Sequence, residues 1–436
     1  MVALGVTTAV LLLLGSSGRV VSLDEALESG DRHQPNLRAA HADTDAARAR
    51  ADEARAGLLP QLNLGATYRI ATAGSFDGRS LASDGGSTVG STGAPGTATF
   101  GTNGLTLSAT GSQLLWDFGQ TFNRWRAQVA MTEATAQTEH ATFQGVRYNV
   151  RSAYFNARAQ KALVRVAHET LANEDKHLTQ IAAFVQVGTR PEIDLVQEKT
   201  TRANTLVQSI QSENNYETAK AQLNQAMGIE ADTDYDVEDV ALSPVTGEDQ
   251  QTDPLLAEAL DARPDYRALL RDVKALSLTR DAVRGAYFPT LNLIGGISDV
   301  VARADPYVYS AFGALTLNWN LFSGFQTRST DREASASLTG FEARADAQRL
   351  QIRLDVDQAR LAVRSAKASL TASAEALLNA REQLRHAEGR YQTGVGSVIE
   401  LGNAQVVLSS ASAQGVQAEY TLSAARAQMV RALGRD

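Results

Sequence analysis

The sequence contains an internal repeat, and this duplication constrains the fold more than any other feature. The segment VGTRPEIDLVQ, residues 187–197, matches TGVGSVIELGN, residues 393–403, at an offset of 206. The same offset aligns LWDFGQT, which begins at residue 115, with LFSGFQT, and Gly228 with Gly434. A repeat of this size indicates that each copy is one structural unit.

The two copies differ by one enlarged loop. Upstream of the shared register, GLLPQLNLGATY from Gly57 matches AYFPTLNLIGGI from Ala286 at an offset of 229. The first copy is therefore longer by 23 residues. The surplus falls in residues 74–104, which hold nine glycines and are typical of an exposed loop.

Proline marks where the regular elements end, because it is excluded from helix interiors and from paired strand centres. The nine prolines leave residues 96–190 and the chain after 306 free of this residue. Those tracts are rich in alanine, leucine, glutamate and arginine, which favour helix. A 68-residue helix would be roughly 100 Å long, and in each copy two shorter helices laid end to end would nearly cover it. The predicted organisation is a signal peptide (1–20), a first repeat (21–229), an equatorial linker (230–253) and a second repeat (254–436). In the first repeat we predict a helix at 35–59, strands at 61–72 and 103–116, and helices at 120–187 and 191–228. In the second repeat we predict a helix at 264–287, strands at 290–301 and 307–321, and helices at 325–393 and 398–434.

The start of the chain and the four strands both point to a membrane. The first 18 residues carry an apolar run that is typical of a secretory signal and too short to span a bilayer, with a buried N-terminal helix as the alternative. In the strands, apolar and polar residues alternate, as in QLNLGATYRI from Gln61. This pattern suits a transmembrane barrel or a half-buried soluble sheet. Four strands cannot close a barrel, whereas three copies would supply twelve.

Composition excludes several classes of function. A net charge of −8 offers no basic surface for nucleic acid, and the absence of cysteine removes disulfides and thiol chemistry. The six histidines show no metal-binding spacing, so we expect them on the solvated surface: His33, His41, His140, His168, His177 and His386. We find no catalytic constellation, no metal site and no cofactor motif, and we expect no enzymatic activity.

These features together resemble the TolC family of outer-membrane efflux ducts. The resemblance rests on the duplication, the Pro-x-Leu-x-Leu strand entry, the Leu-aromatic-x-x-Gly turn and the G-x-x-x-x-I-D/E-L hairpin tip, and it covers residues 22–434. It implies an α+β membrane protein: a homotrimer in the outer membrane of a Gram-negative bacterium, with a lipid-embedded 12-stranded β-barrel continuous with a long α-helical periplasmic barrel. It also implies an exit duct of a tripartite efflux or type I secretion system, with a periplasmic adaptor and an inner-membrane pump as partners.

The resemblance assigns roles to the repeated tips. Gly188, Thr189, Gly394 and Gly396 are expected to form the hairpin turns and to dock the adaptor. Glu400 matches an acidic constriction residue, Asn403 stands where a second aspartate is common, and Asp194 and Tyr391 match a pair that links neighbouring hairpins. The link arginine of the family is Gly396 here, whereas Arg190 occupies the equivalent place in the first hairpin. We therefore expect Arg190 to pair with Glu400.

Three alternatives stay open. Asp194 and Glu400 could be no more than favourable acids at helix N-termini. A soluble or surface-attached coiled-coil protein or adhesin would explain the helices, although it gives no reason for the alternating strands. Small-molecule efflux, metal export and protein secretion all fit a passive duct, and the tip sequence favours small-molecule efflux.

Overall fold

The computed structural model describes residues 19–70, 103–230, 232–240, 242–302 and 309–436. Most of the expected signal peptide and of the glycine-rich loop lies outside these residues, and so do the ends of two predicted strands (71–72 and 307–308). In chain order the elements are β1 (Val20–Val21), α1 (Leu23–His33), α2 (Pro35–Ala56), β2 (Gln61–Ile70), β3 (Asn103–Trp116), α3 (Gln120–Gln186), α4 (Glu192–Met227), β4 (Asp236–Val237), α5 (Thr252–Ala262), α6 (Pro264–Gly285), β5 (Thr290–Ala302), β6 (Tyr309–Asn318), α7 (Gln326–Gln392) and α8 (Val398–Ala432).

The long helices α3 and α7 have 67 residues each and begin and end within one residue of the predicted helices. Two short helices were not predicted, α1 and α5, and each is followed after one residue by the helix that starts at a proline. Val20 belongs to strand β1, which pairs with β4 in parallel, although the signal peptide was expected to extend through this residue. Among the residues described, no helix is both long enough and apolar enough to cross a membrane.

The chain divides into two units, and α2, α3, α6 and α7 contribute residues to both. The first, the strand unit, comprises residues 46–132 and 271–342. Its sheet is antiparallel with the order β2-β3-β5-β6. Within the described residues, β2 and β6 pair on one side each, so both edges of the sheet are available for further strands.

In the middle of the sheet, the register places apolar and small polar side chains in alternate rows. One row across all four strands is apolar and consists of Leu64, Ala109, Ile297 and Ala311. The next row lies on the opposite face and consists of Gly65, Ser108, Ser298 and Ser310. Leu64 is 82% exposed in the single chain, because nothing in the described residues covers the apolar face. A face of this kind suits lipid contact.

The two copies enter their long helices through the same kind of turn. Phe118 and Gly119 have positive φ values of 54° and 82°, and Gly324 and Phe325 have 61° and 66°. Asp117 accepts hydrogen bonds from the backbone N–H groups of Gly119 and Thr121. The repeated Leu-aromatic-x-x-Gly motif is therefore a tight strand-to-helix turn, with glycine at either of two positions.

The second unit, the helical unit, contains the described residues of 1–45, 133–270 and 343–436. One core packs α1, α3 and α4 around Tyr154, Phe155 and Leu223, and a matching core packs α5, α7 and α8 around Ile352 and Met429. The equatorial linker adds a buried ion pair, since Glu248 binds Arg426 and Lys367. Burial opposes ionisation of Glu248, but hydrogen bonds from these two bases hold its pKa at about 2.

A glycine at the end of each shorter helix fixes the closure of each repeat. Gly228 and Gly434 have φ values of 73° and 70°, which favour glycine. A Cβ on Gly228 would lie 2.7 Å from the backbone of Gln34, and one on Gly434 would lie 2.9 Å from the backbone of Arg263. The repeated glycines, Gly228 and Gly434, therefore occupy close backbone contacts that leave no room for a side chain.

Candidate gate at the hairpin tips

The two hairpin turns share one backbone geometry. In the first, Gly188 has φ 74°, and the N–H of Thr189 donates to the carbonyl of Phe184 at 3.0 Å. In the second, Gly394 has φ 80°, and the N–H of Val395 donates to the carbonyl of Arg390 at 3.0 Å. This 6→1 bond with a left-handed glycine is the Schellman helix end, which explains why the motif is repeated.

The helices that follow the turns begin differently. Ser397 caps α8, because its hydroxyl accepts the backbone N–H of Glu400 at 3.1 Å. Pro191 occupies the equivalent place before α4 and makes no side-chain cap. Asp194 and Glu400 both lie in the first turn, where a negative charge interacts favourably with the helix dipole.

Below the turns, side chains of both hairpins form one apolar core, which we call the tip core. Its buried members are Ile181, Leu384, Ala387, Tyr391, Val398, Leu401 and Ala404. Tyr391 is 2% exposed, and its hydroxyl has no hydrogen-bond partner among the described residues. Burial raises the pKa of Tyr391 although Arg190 acts in the opposite direction, so the phenol stays neutral.

Arg190 links the first hairpin to the second. Its Nη2 donates to the carbonyl oxygens of Tyr391 and Gly396, both at 3.1 Å. The guanidinium also lies 4.4 Å from the centroid of the Tyr391 ring, in cation–π contact. One side chain therefore joins the two turns by three interactions, each made with atoms of the second hairpin.

The expected pairing of Arg190 with Glu400 is wrong within the chain. Glu400 instead accepts a salt bridge from Nε of Arg390 at 3.0 Å, and both side chains are more than 40% exposed. Arg190 is committed to backbone carbonyls, which are fixed acceptors and carry no sequence signature. Tyr391 makes no hydrogen bond to Asp194 among the described residues, so a link between these two side chains stays a prediction for neighbouring chains.

Gly396 lies against the backbone at the end of α7, and its carbonyl group accepts a hydrogen bond from Arg190. A Cβ at this position would lie 3.0 Å from Arg390 C and Tyr391 N, which is tighter than nine in ten real Cβ contacts, so the backbone would have to shift by a few tenths of an ångström. The position to which the resemblance assigns a link arginine is therefore crowded for a side chain here, and Arg190 of the first hairpin donates to its carbonyl group instead. Arg190 of the first hairpin thus reaches the second, but its acceptors are carbonyl groups, and a lock with exchanged partners stays a prediction.

The remaining predicted residues lie at the surface. Asn403 is exposed on α8, and Thr189 is exposed in the first turn, where its hydroxyl donates to the carbonyl of Phe184 at 2.9 Å. A Cβ added at Gly188 or Gly394 would meet no atom within 4 Å, so both turns are open. Large apolar side chains beside the turns are exposed as well: Val187, Ile193, Val196, Val395 and Ile399.

A buried polar cluster on the first hairpin was not predicted. Glu174 and His177 on α3 lie beside Glu198 on α4, and all three are buried. Burial and the neighbouring Glu174 raise the pKa of Glu198 to about 8. The expectation of six surface histidines is therefore wrong for His177, because α4 covers its position on α3. Surface exposure holds for the other five.

The comparisons with known proteins agree with this geometry. The family model of the outer membrane efflux proteins matches residues 26–229 and 255–435, so each match covers most of one repeat. Outer membrane protein TolC of Escherichia coli strain K12 is 24% identical over 443 residues, which cover 96% of this chain and 83% of that protein. Protein CyaE of Bordetella pertussis is 26% identical and spans 67% of this chain and 62% of its own length.

Solved structures show the same fold. The outer membrane protein VceC of Vibrio cholerae superposes with a TM-score of 0.79 at 16% identity, covering 95% of this chain and 96% of that one. The duplicated strand and helix order, the paired tips and the family match over both repeats lead to one conclusion. The chain belongs to the outer membrane efflux protein family, whose members are channel proteins, and it is a TolC-like outer-membrane channel that works as a homotrimer with a periplasmic adaptor and an inner-membrane pump.

Proposed function

We propose that the hairpin tips gate this channel and that Arg190 holds the gate closed. The observation that carries the proposal is the contact of Arg190 with the second hairpin, through two carbonyl groups and the ring of Tyr391. These interactions join α3 and α4 to α7 and α8 at their shared end. Opening the tips by separating the hairpins would require all three to break.

Magnitudes support a gate of moderate strength. Hydrogen bonds from a charged donor contribute about 1.5–3 kcal/mol, and a partly desolvated cation–π contact adds about 1–2 kcal/mol. The exposed Arg390–Glu400 pair contributes about 0–1 kcal/mol. Three chains multiply these terms, and a few kcal/mol suffices to favour the closed state while leaving it reversible by a partner.

Glu400 has a separate proposed role, which is to line the constriction as an acidic ring in the trimer. Its side chain is 42% exposed and shares its charge with Arg390. A ring of carboxylates in a narrow aqueous passage favours cations. Arg190 would then set how readily the passage opens, whereas Glu400 would set which ions enter it.

The two roles can be separated by single-channel conductance in planar bilayers. We expect wild-type protein to give small, cation-selective openings, Arg190→Ala to give larger or longer openings with selectivity kept, and Glu400→Gln to lose selectivity without a change in open time. Arg202→Ala is the matched control, because it removes an exposed contact with Asp175 that lies within the first hairpin, between α4 and α3, and does not reach the second hairpin. Equal conductance of wild type and Arg190→Ala would refute the gate.

We also propose that the open turns and the apolar side chains beside them contact the periplasmic adaptor. Val187 and Val395 are 70% and 73% exposed next to Gly188 and Gly394. A photo-crosslinking amino acid at either valine should capture the adaptor in cells. The same label at Leu350, which is also 70% exposed but lies far along α7 from the turn, should not. Equal capture at Leu350 would remove the tips as the docking site.

The conducted substrate and the chemistry of transport belong to the pump in this proposal, and the channel itself catalyses no reaction. A structural coiled-coil protein or adhesin is disfavoured by the family match over both repeats. Small-molecule efflux, metal export and protein secretion are all compatible with a passive duct.

A further inference from the structure

A compact group of ligand-type side chains is buried inside the first hairpin. Glu174 and His177 lie one turn apart on α3, and Glu198 faces them from α4. One potential ligand atom from each lies within 4.8 Å of the other two. Their exposed fractions are 3%, 8% and 5%, which is low for residues that normally require solvent or a partner.

The cluster is incomplete as a set of protein side chains. Oε1 of Glu198 is buried and has no hydrogen-bond partner among the described residues. The group that hydrogen-bonds to the Glu198 side chain and raises its pKa is a second carboxyl group, that of Glu174, and not a base. A buried carboxylate without a positive partner is costly, so in the absence of a cation Glu198 keeps a proton, and a cation between the two carboxyl groups would let both ionise.

The duplication provides an internal control. At the offset of 206, the partners of Glu174 and Glu198 in the second hairpin are Ala380 and Ala404, and these are 2% and 0% exposed. The equivalent helix pair of the second hairpin, α7 and α8, therefore packs well with alanine at both positions. Packing does not require acids in the first hairpin, which points to a bound ligand as their role.

We propose that Glu174, His177 and Glu198 bind one divalent transition-metal ion in each chain, with Zn²⁺ as the best chemical match. Two carboxylates offset the charge of a divalent ion, and imidazole selects zinc and its neighbours over the hard cations Mg²⁺ and Ca²⁺. Tetrahedral zinc ligands lie about 3.3–3.6 Å from one another. A side-chain adjustment of about an ångström brings the three groups to this spacing.

A second-sphere group is also in place. Oε1 of Glu388 on α7 lies 3.4 Å from Nε2 of His177. A carboxylate that accepts the N–H of a metal-bound imidazole fixes the ring and raises its basicity. The ion would thus join α3 to α4 directly and to α7 through His177, in the body of the hairpin behind the tip core.

The test measures zinc bound to the intact detergent-purified trimer. The protein is stripped with EDTA, dialysed against micromolar ZnCl₂ and analysed by inductively coupled plasma mass spectrometry. We expect one zinc per chain for wild type. We expect at least a hundredfold weaker binding for His177→Gln and for the double variant Glu174→Ala with Glu198→Ala, which carries the residues of the second hairpin.

His168 and Glu213 provide the matched control. They are a histidine and a glutamate on the same two helices, 2.7 Å apart, but both are more than half exposed. His168→Gln should keep one zinc per chain. Co²⁺ in place of Zn²⁺ should give the visible absorption of a tetrahedral site in wild type and in this control alone.

The result that would overturn the proposal is equal zinc binding by wild type and by the double variant, or no binding by either. It would mean that the two carboxyl groups merely share a proton. Glu198→Gln removes the charge but keeps the shape of the side chain. If this variant loses zinc but keeps the trimer size of wild type in detergent, the lost binding does not result from misfolding. Because the readout is bound metal, failure here leaves the proposed gate untouched.

Discussion

The two hairpins have the same backbone but keep their polar groups in different places. In the first, Arg190 reaches into the second hairpin, and Glu174 and Glu198 are buried. At the equivalent positions the second hairpin has Gly396, Ala380 and Ala404. Its own charges, Arg390 and Glu400, lie at the surface.

The difference shows what duplication preserves. The turn glycines and the 6→1 hydrogen bonds are common to both copies, because the reversal of the chain depends on them. The interior side chains are not, so one hairpin supplies polar groups and the other supplies the space and the carbonyl acceptors. The two tips are complementary parts of one contact, and exchanging residues between them tests this view.

The largest effect is expected from giving the second tip a side chain. Gly396→Ala places a Cβ against the backbone of Arg390 and Tyr391 at about the 3.0 Å distance found here. Crowding of this kind costs about 1–3 kcal/mol. Hydrogen exchange of the amides in residues 393–401, measured by mass spectrometry, should accelerate roughly tenfold or more.

Gly402→Ala is the control for that variant. Gly402 lies in α8, shortly after the turn that contains Gly396, and its added Cβ would meet no atom within 4 Å. Exchange at the tip should be unchanged or slower, because alanine favours helix over glycine. If both alanines had the same effect, the special fit of Gly396 would be excluded.

The next effect isolates the contact between Arg190 and Tyr391. Arg190→Ala and Tyr391→Leu are combined in a double-mutant cycle that uses the same exchange measurement. The carbonyl acceptors remain in Tyr391→Leu, so the coupling reports the cation–π contact, and we expect about 1–2 kcal/mol. Additive single effects would show that the two groups do not interact.

A smaller asymmetry concerns how the two helices start. Ser397→Ala removes the side-chain cap of α8 and should cost about 1 kcal/mol. Pro191→Ala, at the equivalent place before α4, removes no cap and should change the exchange of residues 192–196 much less. The comparison fails if the two substitutions destabilise their helices equally.

The smallest effect on stability is expected at the surface of the second hairpin. Arg390→Gln breaks the exposed pair with Glu400 and should cost about 0–1 kcal/mol, with still less cost in high salt. Exchange of residues 398–401 at two salt concentrations measures this. A cost above that of Gly396→Ala would show that the surface pair, and not Arg190, holds the tips together.

The sequence allowed much of the fold to be predicted, because its signals are local or repeated. The proline pattern and the two offsets located α3 and α7 to within one residue, and alternation along the strands gave the two faces of the sheet. Helix α1 was missed, because Pro35 is a favourable first residue for a helix whether or not another helix precedes it.

Side-chain partners were harder to predict. Arg190 was predicted to pair with Glu400 in the second hairpin, but its acceptors are main-chain carbonyls, which every residue has. The cluster of Glu174, His177 and Glu198 was missed because acids and histidines are common on solvated helices. The sequence did contain a signal, because two of the three residues, Glu174 and Glu198, correspond to alanines at the equivalent positions of the second repeat.

The closing contacts at Gly228 and Gly434 also bear on how the chain reaches its fold. Gln34 meets the end of α4 from 191 positions away along the chain, and Arg263 meets the end of α8 in the same manner. Each repeat is thus a separate loop that closes on itself through its own first and last helices. Contacts this distant in sequence form late and slowly. Trimer assembly would then require both repeats to close first, and the slower closure would be the rate-limiting step.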